Sequence, residues 1–187
     1  MAETPSRMIP LGTKAVDFIL PDTVTGKKMS LKELSSDTAT VIMFICNHCP
    51  FVKHIQSELV RLANEYIPKG ISFIAISSND VEKYPADAPD YMNEVAQRFS
   101  FPFPYLYDET QEIARAYDAA CTPDFYIFDK DLSLAYRGQL DDSRPGNNIP
   151  ITGKDIRSAL DQILKGKSVS DEQKPSIGCN IKWKQIK

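Results

Sequence analysis

Five apolar residues in succession, Val41-Ile42-Met43-Phe44-Ile45, run directly into Cys46-Asn47-His48-Cys49-Pro50. A run of that length reads as a strand buried on both faces. Beyond it, apolar residues recur at 52, 55, 59, 60, 63 and 67, close to the spacing of one helix face. The pattern predicts a helix over 51–67, stopped by Pro68-Lys69-Gly70. Residues 71–77 (ISFIAIS) read as a second, mostly apolar strand. Strand, long helix and strand make a βαβ unit with parallel strands and a right-handed crossover.

The flanking pattern extends this unit. Residues 15–20 read as a short strand, and a turn through Gly26 returns at Lys28-Met29 as an N-terminal hairpin. Ser30, with Glu33 three residues on, forms a capping box for a short helix to about Leu34. Residues 78–89 hold two prolines and read as a polar loop, after which Asp90 caps a helix over 91–99. A short strand over 105–107 and a short helix over 109–117 follow. Residues 125–128 and 133–137 pair across a turn at Lys130-Asp131 as an antiparallel hairpin. Asp141 to Pro150 is a polar loop, and Thr152 caps a last helix over 153–164, with Ile156, Leu160, Ile163 and Leu164 inward. The first fourteen residues carry few signals and are expected along the surface. Residues 165–187 are too polar and proline-broken to supply a core element. The expected organisation is one α/β domain over 1–165, with a mixed sheet between helices, and a tail over 166–187 packed on it or extending from it.

Size and charge narrow the function classes. A chain of 187 residues suffices for one domain with a sizeable core. A net charge of −3 without a basic block argues against nucleic acid as a partner. No apolar run approaches the roughly 18 residues of a membrane span. The first residues lack the apolar region of a secretory signal, so a cytoplasmic location is expected. In a reducing compartment the four cysteines at 46, 49, 121 and 179 would not form a structural framework. The close pair, Cys46 and Cys49, is then either a redox pair or half of a metal site. Its place at the head of a helix favours the thiolate, the reactive form of cysteine.

These residues resemble the thioredoxin superfamily over roughly residues 10–165. The closer resemblance is to the redoxin branch, the thiol-disulfide oxidoreductases related to alkyl hydroperoxide reductase (AhpC/TSA) and to the TlpA and ResA proteins. It is carried by the CxxC between strand and helix, and by Thr122-Pro123 directly before the later hairpin. The opening GTKAVDFILPD and the hairpin CTPDFYIFDKDLSLAYRG add to it, although Leu132 stands near where a glycine is usual. The ending PSIGCNIKWK is similar to that of an uncharacterised redoxin subgroup.

The resemblance implies a thioredoxin-like fold and a thiol-disulfide oxidoreductase that needs no cofactor beyond a Cys46–Cys49 disulfide. It implies Cys46 as nucleophile, at the solvent-facing end of the strand–helix turn, and Cys49 as resolving thiol. A histidine at position 48 favours the dithiol and makes the disulfide more oxidising. Pro123 is expected to be cis, presenting the Thr122 backbone to an extended substrate. Phe51 is expected in an apolar groove beside Cys46, with Phe125. Cys121 is the candidate third redox thiol, and Cys179 reads as structural or incidental. The implied partner is a protein disulfide or a thioredoxin-type electron donor.

Other readings stay open on the residues. Cys46, His48, Cys49 and Cys121 are all soft or borderline metal ligands, and copper carriers of the Sco type share the fold. The absence of a second CxxC argues against a closed zinc site, and no metal is assigned. A redox-sensing module and a thiol peroxidase complete the alternatives. The activating threonine of peroxiredoxins is missing three residues before either cysteine, where Met43 and Cys46 stand. Ile45 takes the place of the tryptophan that precedes the pair in thioredoxins.

Overall fold

A computed structural model describes residues 3–185. Its centre is β4 (Ala39–Phe44), whose six residues are all buried. Parallel to β4 lies β5 (Ile71–Ser77), and parallel to β5 lies β6 (Tyr105–Tyr107). On the other side, β8 (Asp124–Asp129) runs antiparallel to β4, and β9 (Leu134–Gly138) antiparallel to β8. The five-stranded mixed sheet thus has the order β6-β5-β4-β8-β9.

Alternation along β4 divides the core. Val41 and Met43 pack on one face with Ile55, Leu59 and Leu62 of α2 (Pro50–Tyr66) and with Ile156 and Leu160 of α5 (Lys154–Leu164). On that same face lie Met92 and Ala96 of α3 (Pro89–Arg98). Ile42 and Phe44 point the other way, toward Leu31 of α1 (Leu31–Leu34) and Ala114 of α4 (Glu112–Ala116). Helices therefore cover both faces, as the sequence implies. Each fully buried leucine of α2 contributes about 1.5–3 kcal/mol, so the apolar stripe is what fixes the helix against the sheet.

Several expected boundaries move. The hairpin forms from β2 (Ile19–Pro21) and β3 (Lys28–Ser30), a few residues later than expected. The Ser30 capping box is intact, with the Ser30 amide donating to Glu33 Oε2 at 2.9 Å and the Glu33 amide to Ser30 Oγ at 3.2 Å. Asp90 and Thr152 do not cap. Ala88 and Gly153 occupy those positions, because Pro89 already fits the first helical turn and Gly153 takes a left-handed φ of 61°.

The largest departure is in the tail. Ile177–Asn180 form β10, the middle strand of a small sheet. Beside it lie β1 (Glu3–Pro5) and β7 (Cys121–Thr122). Cys179 and Ile181 are buried. The expectation that residues 165–187 hold no core element is therefore corrected. The reason is physical: Cys179 and Ile181 enter the two cores without a periodic apolar pattern to announce them, and polar contacts hold the segment in place. Ser176 donates through Oγ to the Pro123 carbonyl at 2.6 Å, and the Lys182 amide donates to Asn79 Oδ1 at 2.8 Å. Gln111 ties down the next turn, donating to the Lys182 carbonyl and accepting from the Lys184 amide, both at 2.8 Å. The described residues contain no helix long and apolar enough to cross a membrane.

Candidate functional site

The end of β4 delivers Cys46 and the head of α2 delivers Cys49, which is the cap residue of that helix. Both cysteines are buried, at 1% and 0% exposure. The expectation that Cys46 faces solvent is corrected: β7, β10 and a loop carrying Asp87 enclose the turn. Four elements that are distant in sequence thus converge on two sulfurs.

Thr122, next to a cis peptide bond to Pro123, meets both cysteines. Its hydroxyl lies 3.4 Å from Cys46 Sγ, and its carbonyl oxygen accepts from the Cys49 thiol at 3.1 Å. The third neighbour is Cys179 of β10, whose Sγ stands 2.9 Å from that of Cys49. Cys121 is only one residue from Thr122, yet its thiol turns toward the Pro123 carbonyl at 3.6 Å.

His48 Nδ1 is 3.9 Å from Cys46 Sγ and 2.5 Å from Asp87 Oδ2. Asp87 is fully buried in a short 3₁₀ turn, Pro85–Asp87. It also accepts from the backbone amides of Asn47 (2.8 Å) and His48 (3.1 Å), and from Asn79 Nδ2 (2.8 Å). A carboxylate this fully engaged keeps a proton on His48 Nδ1, so that N–H faces Asp87 with Cys46 just beyond. The ring of Tyr84 stacks on His48, with centroids 5.3 Å apart.

The charges follow from these neighbours. The Cys46 thiol donates to Cys49, and that bond, burial and the nearby Asp87 charge push Cys46 well above the ordinary thiol range. Cys49 is lowered to about 5. The hydrogen bond from Cys46 acts against burial, with help from Cys179, the Val52 amide and Thr122. The Cys49 side chain makes no capping hydrogen bond of ordinary geometry. The helix nonetheless favours negative charge on that sulfur through the Val52 amide. Of the two thiols Cys49 is thus the one shifted toward its thiolate, and Cys46 the one held protonated. Burial alone would raise the Asp87 carboxyl, but His48 and Asn79 hold it below its usual range.

The other expected site residues are distributed as follows. Phe51, Pro123 and Phe125 line one small crevice with Ile55 and Arg144, and neither Cys46 nor Cys49 is in its lining. The Thr122 backbone, expected to receive an extended substrate, already pairs with Cys179 of β10. A Cβ on Gly178 would meet the Thr122 carbonyl oxygen at 2.0 Å, so only glycine lets the two strands lie this close. His54 donates to or accepts from Ser143 Oγ at 2.7 Å and stands apart from the sulfurs. Asp87 and Cys179 had no signal in the hydrophobic pattern. The cues available were Pro85 and Pro89 around Asp87, and a cysteine behind a glycine in an otherwise polar tail.

A family model described as the AhpC/TSA family matches residues 11–137. The chain belongs to the AhpC/TSA family. Among solved structures it is similar to an uncharacterized conserved protein from Geobacillus kaustophilus, at 63% identity and a TM-score of 0.98 over 100% of this chain and 99% of that one. A hypothetical protein from Sinorhizobium meliloti is 45% identical, with a TM-score of 0.95 over 98% of this chain and 100% of that one. A thiol:disulfide interchange protein from Chlorobium tepidum is similar in fold alone, at 16% identity and a TM-score of 0.63 over 82% and 97% of the two chains. No curated protein matches the chain. The AhpC/TSA match and these neighbours make the fold thioredoxin-like, as the residues around CxxC and Thr122-Pro123 imply.

Proposed function

We propose that this chain is a thiol-disulfide oxidoreductase that exchanges electrons with protein disulfides through Cys46 and Cys49. The observation that carries the reading is the meeting of both sulfurs on Thr122, whose hydroxyl lies 3.4 Å from Cys46 Sγ and whose carbonyl oxygen lies 3.1 Å from Cys49 Sγ, beside the cis bond to Pro123. The hydrogen bond from Cys46 lowers Cys49 and so favours its thiolate, where an ordinary thiol near 8.5 would be only roughly 3% ionised at neutral pH.

The chemistry uses groups already in contact. The proton between the sulfurs moves from Cys46 to Cys49, leaving Cys46 as the thiolate. His48 Nδ1–H, oriented by Asp87, turns part of its donor strength toward that sulfur. Cys46 attacks one sulfur of the substrate disulfide, and the other leaves as a thiolate that takes up a proton. Cys49 then loses its proton and attacks Cys46 Sγ, which frees the second substrate thiol and leaves a Cys46–Cys49 disulfide. Phe51 and Pro123 form the apolar floor on which the substrate segment rests. No cofactor or metal enters these steps, and the cytoplasm is the compartment in which such a dithiol would be kept reduced.

A thiol peroxidase is the second reading, favoured by the Thr122 hydroxyl at 3.4 Å from Cys46, which supplies from β7 a contact that the local sequence lacks. The test is trapping. Cys49→Ser should accumulate mixed disulfides with protein substrates, and Cys46→Ser should abolish disulfide reduction. Retained turnover in Cys46→Ser would end the assignment. Rapid consumption of hydrogen peroxide without disulfide reduction would replace it with the second reading.

A further inference from the structure

The strand that covers the site carries a cysteine of its own. β10 lies antiparallel to β7 with Cys179 opposite Thr122, so it occupies the edge at which an extended substrate would pair. Gly178 allows the approach, since any side chain there would strike the Thr122 carbonyl. The neighbouring residue then puts its sulfur 2.9 Å from Cys49 Sγ. A disulfide bond is about 2.05 Å long, so closing the gap takes a movement of under about 1 Å. The strand is tied down on both sides of this point by Ser176 and Lys182. The juxtaposition is therefore built by backbone pairing and does not depend on one flexible side chain.

We propose that Cys179 is a third redox thiol and that β10 acts as an in-built exchange partner, accepting from the Cys46–Cys49 pair a disulfide that then joins Cys49 to Cys179. This rests on the redox reading of Cys46 and Cys49 given above. The step is an exchange without net oxidation. Cys179 loses its proton and its thiolate attacks Cys49 Sγ. The Cys49–Cys179 bond forms as the Cys46–Cys49 bond breaks, and the electron pair of the broken bond leaves on Cys46. The proton released by Cys179 ends on Cys46, whose sulfur regains its contact with Thr122.

The electrostatics suit the direction. In the dithiol state Cys179 is pushed up to about 12, by burial and then by its hydrogen bond to Cys49 and that sulfur's charge. When Cys49 is in a disulfide, that charge is gone, and two of the three effects that keep Cys179 protonated vanish with it. Lys182 already acts to lower it. Oxidation of the first pair thus eases ionisation of Cys179, with burial the one cause that still keeps it protonated. The product would hold the oxidising equivalent inside the protein, return Cys46 to its thiol form, and bolt β10 over the Thr122 edge. Cys121, the sulfur singled out by sequence, has no comparable contact with Cys49.

The experiment is disulfide mapping on the full chain. Reduced protein is equilibrated with glutathione and glutathione disulfide at graded ratios, quenched in acid, alkylated and cut with trypsin without reduction. Cys46 and Cys49 share the peptide 33–53, Cys121 lies in 116–130 and Cys179 in 168–182. The expected result is a 33–53 peptide cross-linked to 168–182 in the oxidised wild type, and a several-fold larger share of that species in Cys46→Ser, where no competing pair remains. The proposal is overturned if the oxidised wild type shows only the disulfide internal to 33–53 with Cys179 alkylated, while Cys46→Ser stops as a glutathione adduct of Cys49. If the wild type forms neither disulfide, the redox reading of Cys46 and Cys49 itself fails, and this proposal with it.

Discussion

Cys49 and Cys121 are equally buried and lie at opposite ends of the same short stretch of contacts around Thr122. Their chemistry is opposite. Both sulfurs lie near a backbone carbonyl, Thr122 for Cys49 and Pro123 for Cys121, but only Cys49, at the head of α2, also has donors: the Cys46 thiol, the Cys179 thiol and the Val52 amide. Cys121 faces an acceptor, the Pro123 carbonyl, and burial, with Asp124 nearby, pushes its thiol far above the ordinary range. Burial therefore does not by itself make a thiol inert. It magnifies whatever polarity surrounds the sulfur, in either direction.

The largest effect that would break this contrast is on turnover. Cys46→Ser should bring the reduction of protein disulfides to background, whereas Cys121→Ala should keep the wild-type rate. Equal losses in both would mean that Cys121 belongs to the reacting set. Next comes His48→Ala. It removes a charge-assisted hydrogen bond worth about 1.5–3 kcal/mol and leaves the Asp87 charge beside Cys46 with only its amide donors, the backbone N–H groups of residues 47 and 48 and Asn79 Nδ2. Exchange at neutral pH should slow by about tenfold to a hundredfold, since each 1.4 kcal/mol is one decade. An unchanged rate would remove His48 from the account.

A smaller effect tests the strand that joins the two regions. Gly178→Ala should cost about 1–3 kcal/mol of stability through overpacking against Thr122, measured by urea unfolding. Gly12→Ala, with open space around its Cβ position, should cost less. The last effect, spread over several pH units, concerns the region of Cys121. Asp124 is fully buried, and burial raises its carboxyl to about 8 against the hydrogen bond from Tyr126. Folded Asp124 is then protonated where the unfolded chain is ionised. Its contribution to stability is complete below about pH 4 and declines as pH rises toward 8. The loss should approach about 1.4 kcal/mol per pH unit, and Asp124→Asn should flatten that slope. A slope of the opposite sign would contradict the burial argument.

How much of this was legible in the sequence differs between the same regions. The run Val41 to Ile45, the stripe on α2 and the Ser30–Glu33 box each follow from a local rule, and each stands in the fold as expected. Thr122-Pro123 could be placed beside the cysteines because the following hairpin is strongly patterned. Asp87 could not, since it sits in a polar loop and owes its role to four donors, three of them about forty residues away in chain order and one eight away. β10 was invisible for a related reason. Four residues, Ile-Gly-Cys-Asn, show no alternation, and the strand is fixed by pairing with β1 and β7 and by one core side chain, Cys179. Helix-head electrostatics can be read from spacing, but the effects of the Asp87 charge and the Cys179 thiol on the two sulfurs cannot.

One measurement bears most directly on the claim that Cys46 and Cys49 are a redox pair whose reduced form is held as a thiolate. It is the reduction potential of the pair, from equilibration with glutathione and counting of alkylated thiols in the 33–53 peptide. A thiolate stabilised at Cys49 favours the dithiol state, so the account predicts a value of roughly −200 mV, above the approximately −270 mV of thioredoxin. A pair more reducing than about −270 mV, or a protein in which no Cys46–Cys49 disulfide forms, would contradict it.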